Sequence, residues 1–166
     1  MSFFTIPSSD KSSSGGLSPP LRLKRPLLFL MTRYSGMTHS LAVLATALLF
    51  GGMTLYAFGF AALLFSVLPT QTAGATLRRA FPWFYVFVMA AAAVAALAWW
   101  SHDITAAMVM AGIALSTLPV RQLLMPAINR ATDTGHRQRF KWLHGLSVLV
   151  TIAHIVAAGW VLARLV

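Results

Sequence analysis

The sequence predicts an all-α protein: an integral membrane four-helix bundle of up-down topology with a disordered N-terminal tail. Three observations predict it. Four apolar stretches, each long enough to cross a bilayer at about 20 residues per span, occupy residues 38–166. Charged residues make up 10% of the chain, against about a quarter in a soluble domain, so a water-facing shell cannot be assembled. Arginines and aromatic residues gather at the ends of the stretches, the pattern of membrane interfaces.

Residues 1–37 form the predicted tail. Its SSDKSSSGGLSPPLRLKRP segment is rich in Ser, Gly and Pro and has no periodic apolar face, a composition that cannot bury enough surface to fold. Leu27 to Met31 is too short for the apolar core of a secretory signal, and no small-residue cleavage site follows. Two other readings stay open. The Arg and Ser content suits a transit segment, against Asp10 and the prolines. Met31 and Met37 also stand just before the first span, where a later start would fall.

The spans follow at about 39–65, 81–100, 104–124 and 142–163. In the first, Ala45, Gly52 and Gly59 recur every seven residues, near two helical turns, and predict a small-residue seam for close helix contact. Pro69 ends it. Arg78, Arg79, Trp83 and Tyr85 introduce the second span, and Trp99 and Trp100 close it as interfacial anchors. The link Ser101-His102-Asp103 is so short that spans two and three must form an antiparallel hairpin. Pro119 predicts a kink in span three and Pro126 its end. Residues 127–141 read as a polar loop before span four.

Basic residues predict orientation. Arg78, Arg79, Arg121, Arg130, Arg137, Arg139 and Lys141 fall on one side, Arg164 and the tail cations on the other. With the tail the sides nearly balance; the core alone is strongly one-sided and predicts an outward N-terminus. The net charge of +10 flanks apolar runs instead of coating a folded face. It therefore points to lipid headgroups, not nucleic acid, as the partner. A homo-oligomer or other membrane subunits are further candidate partners, and a bacterial-type inner (plasma) membrane is the expected location.

Chemistry is sparse. Cys is absent, which excludes disulfides and thiolate sites. Asp10, Asp103 and Asp133 are the three acids, and none lies within a span, so hydrolysis by paired carboxylates is excluded. No GxSxG, phosphate-binding loop or GxGxxG occurs. Span four carries the one polar stripe: His144, Ser147, Thr151 and His154 lie within an arc of about 80° on a helical wheel. Lipid offers such groups no hydrogen bonds, so the stripe should face the bundle. His154, near the bilayer midplane, is a candidate haem or copper ligand or proton carrier; so is His144 at the membrane entry. About 15 Å of helix separates them, so they cannot share one iron. His39 and His102 should lie on the opposite membrane face from His144, where the two could share an interfacial metal, though with no supporting carboxylate beyond Asp103. The methionines read as core filler. The expected role is non-enzymatic, a scaffold or a transport-linked subunit; the alternative is a haem- or copper-handling redox protein.

Three stretches resemble the transmembrane-protein-205-like family of small four-span proteins without an established activity. They are Gly51-Gly52-Met53, then FSVLPTQTAGATLRRAFPWFY with Leu68, Pro69, Phe81 and Pro82 matching, then FKWLHGLS with Phe140, His144, Gly145 and Ser147 matching. The resemblance covers about residues 40–165 and implies the same four-span architecture. Two departures stand out: Thr151 occupies a position where the family often has Asn, and TLPVRQLLMP lacks an Asn before its last proline.

Overall fold

The computed structural model describes residues 24–165. Among them there is no strand, and four rods are long and apolar enough to cross a membrane: Arg33–Val67, Thr70–Trp99, Ile104–Asp133 and Arg137–Ala163. The chain is an integral membrane protein built as an up-down four-helix bundle. The first rod comprises α1 (Lys24–Thr54), a π-helical turn (Leu55–Phe60) and α2 (Ala61–Val67). Leu68 and Pro69 are extended, as a residue before proline prefers. Then come α3 (Thr70–Trp99), α4 (Ile104–Pro119), a second π-helical turn (Val120–Leu124), α5 (Met125–Asp133) and α6 (Arg137–Ala163).

The turns are chemically specified. The Asp103 carboxylate accepts from the backbone N–H of Thr105 at 2.8 Å and of Ala106 at 3.1 Å, an N-cap for α4. Gly135 has φ of 69°. There the Gly135 N–H reaches the Thr132 carbonyl and the His136 N–H the Ala131 carbonyl, the paired bonds of a Schellman stop.

The two rods joined by the short link, α3 and α4, pack along each other, and α1 lies on α3. α6 leans on α1 and α5. The core is built from small residues: Ala42, Ala45, Ala92, Ala95, Ala106 and Ala158 are buried around Leu49, Met53, Val88 and Met110. Small side chains let backbones approach, and in lipid that dispersion contact drives helix association. The Trp99 indole N–H donates to the Thr46 hydroxyl at 3.0 Å, buried between α3 and α1. Thr46 itself donates to the Ala42 carbonyl.

Several expectations are corrected. Residues 1–23 of the expected tail lie outside the described residues, whereas Lys24–Met37 belong to α1. α3 begins at Thr70 instead of near Phe81. Pro126 does not end the third rod: the π-turn ahead of it bonds Met125 N–H to the Val120 carbonyl, a wider turn that absorbs the prolines' missing donors. The helix then runs to Asp133, and the polar loop shrinks to Thr134, Gly135 and His136. Trp99 is only 2% exposed, a core residue instead of an interfacial anchor. Gly59 drops out of the seam, because the π-turn breaks the seven-residue register and turns it outward.

Candidate functional site: a vestibule at the basic end

The up-down topology gives the bundle two unlike ends. One, the terminal end, gathers the start of the first rod, the α3–α4 turn and the end of α6; there Arg164 pairs with Asp103 at 3.3 Å. The other, the basic end, holds the Leu68-Pro69 and Thr134–His136 turns, and Arg78, Arg79, Arg130, Arg137, Arg139 and Lys141 lie on the helices near them.

At the basic end, α2, α3, α5 and α6 stand apart around an open cavity of about 790 Å³. This is within the usual range for a small-molecule site. Its walls divide by chemistry. Phe65, Leu77, Phe81, Met125, Ile128 and Phe140 supply apolar surface, while Gln71, Asn129 and Thr132 supply hydrogen-bonding groups. Arg78 and Arg79 also line it. Arg78 is held by Asp133 on α5 at 2.6 Å, which braces α3 to α5. His144 lines the cavity as well, stacked parallel on Phe140 with ring centroids 5.4 Å apart. On the cavity wall, Tyr85 and Ser147 join their hydroxyls at 3.3 Å, buried between α3 and α6.

Past that pair, Tyr85 also borders a small void of about 10 Å³ shared with Thr117, Thr151, His154 and Met53, near the lower limit for holding one water. The Thr151 and Thr117 hydroxyls donate to backbone carbonyls within their own helices, so their oxygens remain acceptors. His154 Nε2 lies 2.8 Å from the Ser116 hydroxyl on α4. Ser116 also reaches the Gly112 carbonyl at 2.6 Å, so its single hydroxyl proton is shared out between that carbonyl and the imidazole according to the His154 tautomer. Among the described residues no carboxylate stands behind the imidazole, since Asp103 and Asp133 sit at rod ends.

The predicted stripe on α6 therefore separates. Ser147 is buried in the vestibule wall, Thr151 and His154 are half-buried beside the void, and His144 is an exposed residue on the cavity side. The apolar 18-residue stretch of α6 is 17% buried, the smallest such share among the four rods, so its stripe meets neighbours only in part. His39 and His102 do come together at the terminal end, ring centroids 5.5 Å apart. His102 Nε2 already bonds Thr38, and the His39 ring abuts the Trp99 edge. Among the described residues no three His, Asp or Glu converge on a point that could hold a metal.

Of the motif residues, Phe81, Phe140, His144 and Ser147 line the vestibule. Gly52 faces Phe87, whose ring atoms stand 2.6 Å from where a β-carbon would be. Leu68 and Pro69 make the turn between α2 and α3. Sequence reasoning missed Tyr85, Arg79 and Asn129 as cavity residues. The available signal for Tyr85 was a phenol deep in an apolar rod, which needs a partner; Arg79 and Asn129 gave none, because their role depends on how far α3 and α5 extend.

Comparison with known proteins agrees with the picture of a membrane protein of unestablished activity. No curated protein and no solved structure matches the chain. One family model does, over residues 44–137, which runs from mid-α1 to the first residue of α6 and takes in the α2, α3 and α5 walls. On that match the chain belongs to the family described as a domain of unknown function, DUF4149.

Proposed function

We propose that this protein is a non-enzymatic membrane receptor or transport-linked subunit that admits a ligand from the basic end into the vestibule. The observation that carries the reading is the cavity of about 790 Å³ between α2, α3, α5 and α6, bordered by the Tyr85–Ser147 pair. A scaffold has no need of such a space, because small-residue helices close up when nothing holds them apart. That no carboxylate backs His154 among the described residues favours binding over catalysis. The sequence resemblance to transmembrane-protein-205-like proteins fits the same reading, since Phe81, Phe140, His144 and Ser147 from two of its motifs line this cavity.

In our reading the basic end faces the cytoplasm, as positive residues do, and the terminal end faces outward. We place the protein in a bacterial-type plasma membrane. A second copy or another subunit would pack on the outer side of α1, where Gly51 leaves the backbone bare. Haem or copper at His144 and His154 fits less well: the two stand in different surroundings, one beside the vestibule, the other bonded to Ser116.

The chain has no Cys, so single cysteines report access cleanly. Ser147→Cys should react with a small charged thiosulfonate reagent in detergent-purified protein, and Ala158→Cys, wholly buried on the same helix, should not. Equal protection of both would refute an accessible vestibule.

A further inference from the structure

The vestibule combines two chemistries that one ligand class satisfies together. Its apolar wall is aromatic and aliphatic, from Phe65, Phe81, Phe140 and Ile128. Its charge is positive: Arg78 and Arg79 line it, and Asp133 engages only Arg78. Among the described residues no ion pair holds Arg79, and Asn129 and Thr132 add neutral hydrogen-bonding groups nearby. Arg130, Arg137, Arg139 and Lys141 on the surrounding surface raise the local potential further, which concentrates anions at the mouth. A guanidinium binds a phosphate or carboxylate through charge-assisted hydrogen bonds. A fully water-soluble anion would leave the aromatic wall unused, and a neutral hydrocarbon would leave Arg79 unused.

We propose that the vestibule binds an anionic amphiphile, an acidic headgroup on Arg79 joined to a hydrocarbon chain against the aromatic wall. This rests on the vestibule being an open binding site, and it names what the site takes. The same chemistry has two sources: an anionic phospholipid of the bilayer, or a free single-chain carboxylate.

The test is a titration of the full chain in maltoside micelles, with bound ligand counted by native mass spectrometry. The probes are phosphatidylglycerol, dodecanoate, phosphatidylcholine and inorganic phosphate. Phosphatidylglycerol or dodecanoate should bind at least about tenfold more tightly than phosphatidylcholine, the worth of one charge-assisted contact; which of the two binds identifies the source. Arg79→Gln should lose that preference. Gly74→Leu fills the cavity from α3 at a position where a β-carbon meets nothing within 4 Å; it should lower binding of the anionic probe while leaving charge unchanged. Arg137→Gln removes an equal charge from the same end but outside the vestibule; it should weaken anion binding only slightly, through the surface potential, and keep the preference that Arg79→Gln loses. Equal losses for Arg79→Gln and Arg137→Gln would overturn the proposal, since they would reveal a general surface attraction. Binding of phosphatidylcholine as tight as phosphatidylglycerol, still blocked by Gly74→Leu, would overturn the anionic class and leave the vestibule standing. No probe sensitive to Gly74→Leu, with Ser147→Cys unreactive, would overturn both.

Discussion

At the scale of single residues, a few polar contacts hold helices that lipid alone would let slide. The buried Trp99–Thr46 bond ties α3 to α1. Thr46→Val keeps the shape and removes the acceptor, leaving an indole N–H unpaired among apolar neighbours. We expect a loss of about 1–2 kcal/mol, and near-parental stability for Thr46→Ser, both read from unfolding in mixed detergent micelles. Gly52 makes the complementary point by absence. A β-carbon there meets the tip of the Phe87 ring at 2.6 Å, so Gly52→Val should cost about 1–3 kcal/mol by overpacking. Phe87→Ala in the same chain should recover part of that loss, giving a double-mutant coupling of at least about 0.5 kcal/mol. Gly52 was legible in the sequence because a small residue seven positions after Ala45 marks a seam. The Trp99 role was not legible: a tryptophan at a span end reads equally as an anchor, and only the opposing Thr46 decides.

At the scale of elements, the two rod ends are secured by different means, and their acids should respond differently. Asp103 caps α4 through two backbone N–H groups and also pairs with Arg164. Asp133 makes one ion pair, with side-chain exposures of 38% for Arg78 and 60% for Asp133. Asp103→Ala should therefore cost about 1 kcal/mol as a lost cap. Asp133→Ala should cost less, within the range of about 0–1 kcal/mol typical of exposed pairs. Thermal unfolding of the two variants side by side checks the order. Rod existence and the α3–α4 hairpin were readable from apolar length and from the three-residue link. Rod ends were not. Pro126 reads as a stop under α-helical rules, and only a π-turn, which leaves no composition signal, carries the helix past it. Because α5 was read as loop, so was the wall of the vestibule it forms.

At the scale of the molecule, small-residue packing tightens one part of the bundle and the aromatic, arginine-bearing extensions hold the other open. Alanine-rich stretches close α1, α3 and α4 near the terminal end, whereas Phe65, Phe81 and Phe140 keep the rods apart at the basic end. Composition made the membrane legible, because 10% charged residues cannot clothe a soluble surface. The vestibule was hidden, since its residues come from four helices and no local pattern joins them. Orientation follows from the same asymmetry: with the basic end cytoplasmic, a reporter fused after Val166 should read as external.

Four crossings of the bilayer would put the α3–α4 turn and the α5–α6 turn on opposite faces. Sided labelling of Ser101→Cys and Thr134→Cys in sealed vesicles, using a reagent that cannot cross lipid, measures that placement directly. Each site should react from one side only, and the two sides should differ. Labelling of both from the same side, or from both sides in intact vesicles, would contradict the four crossings.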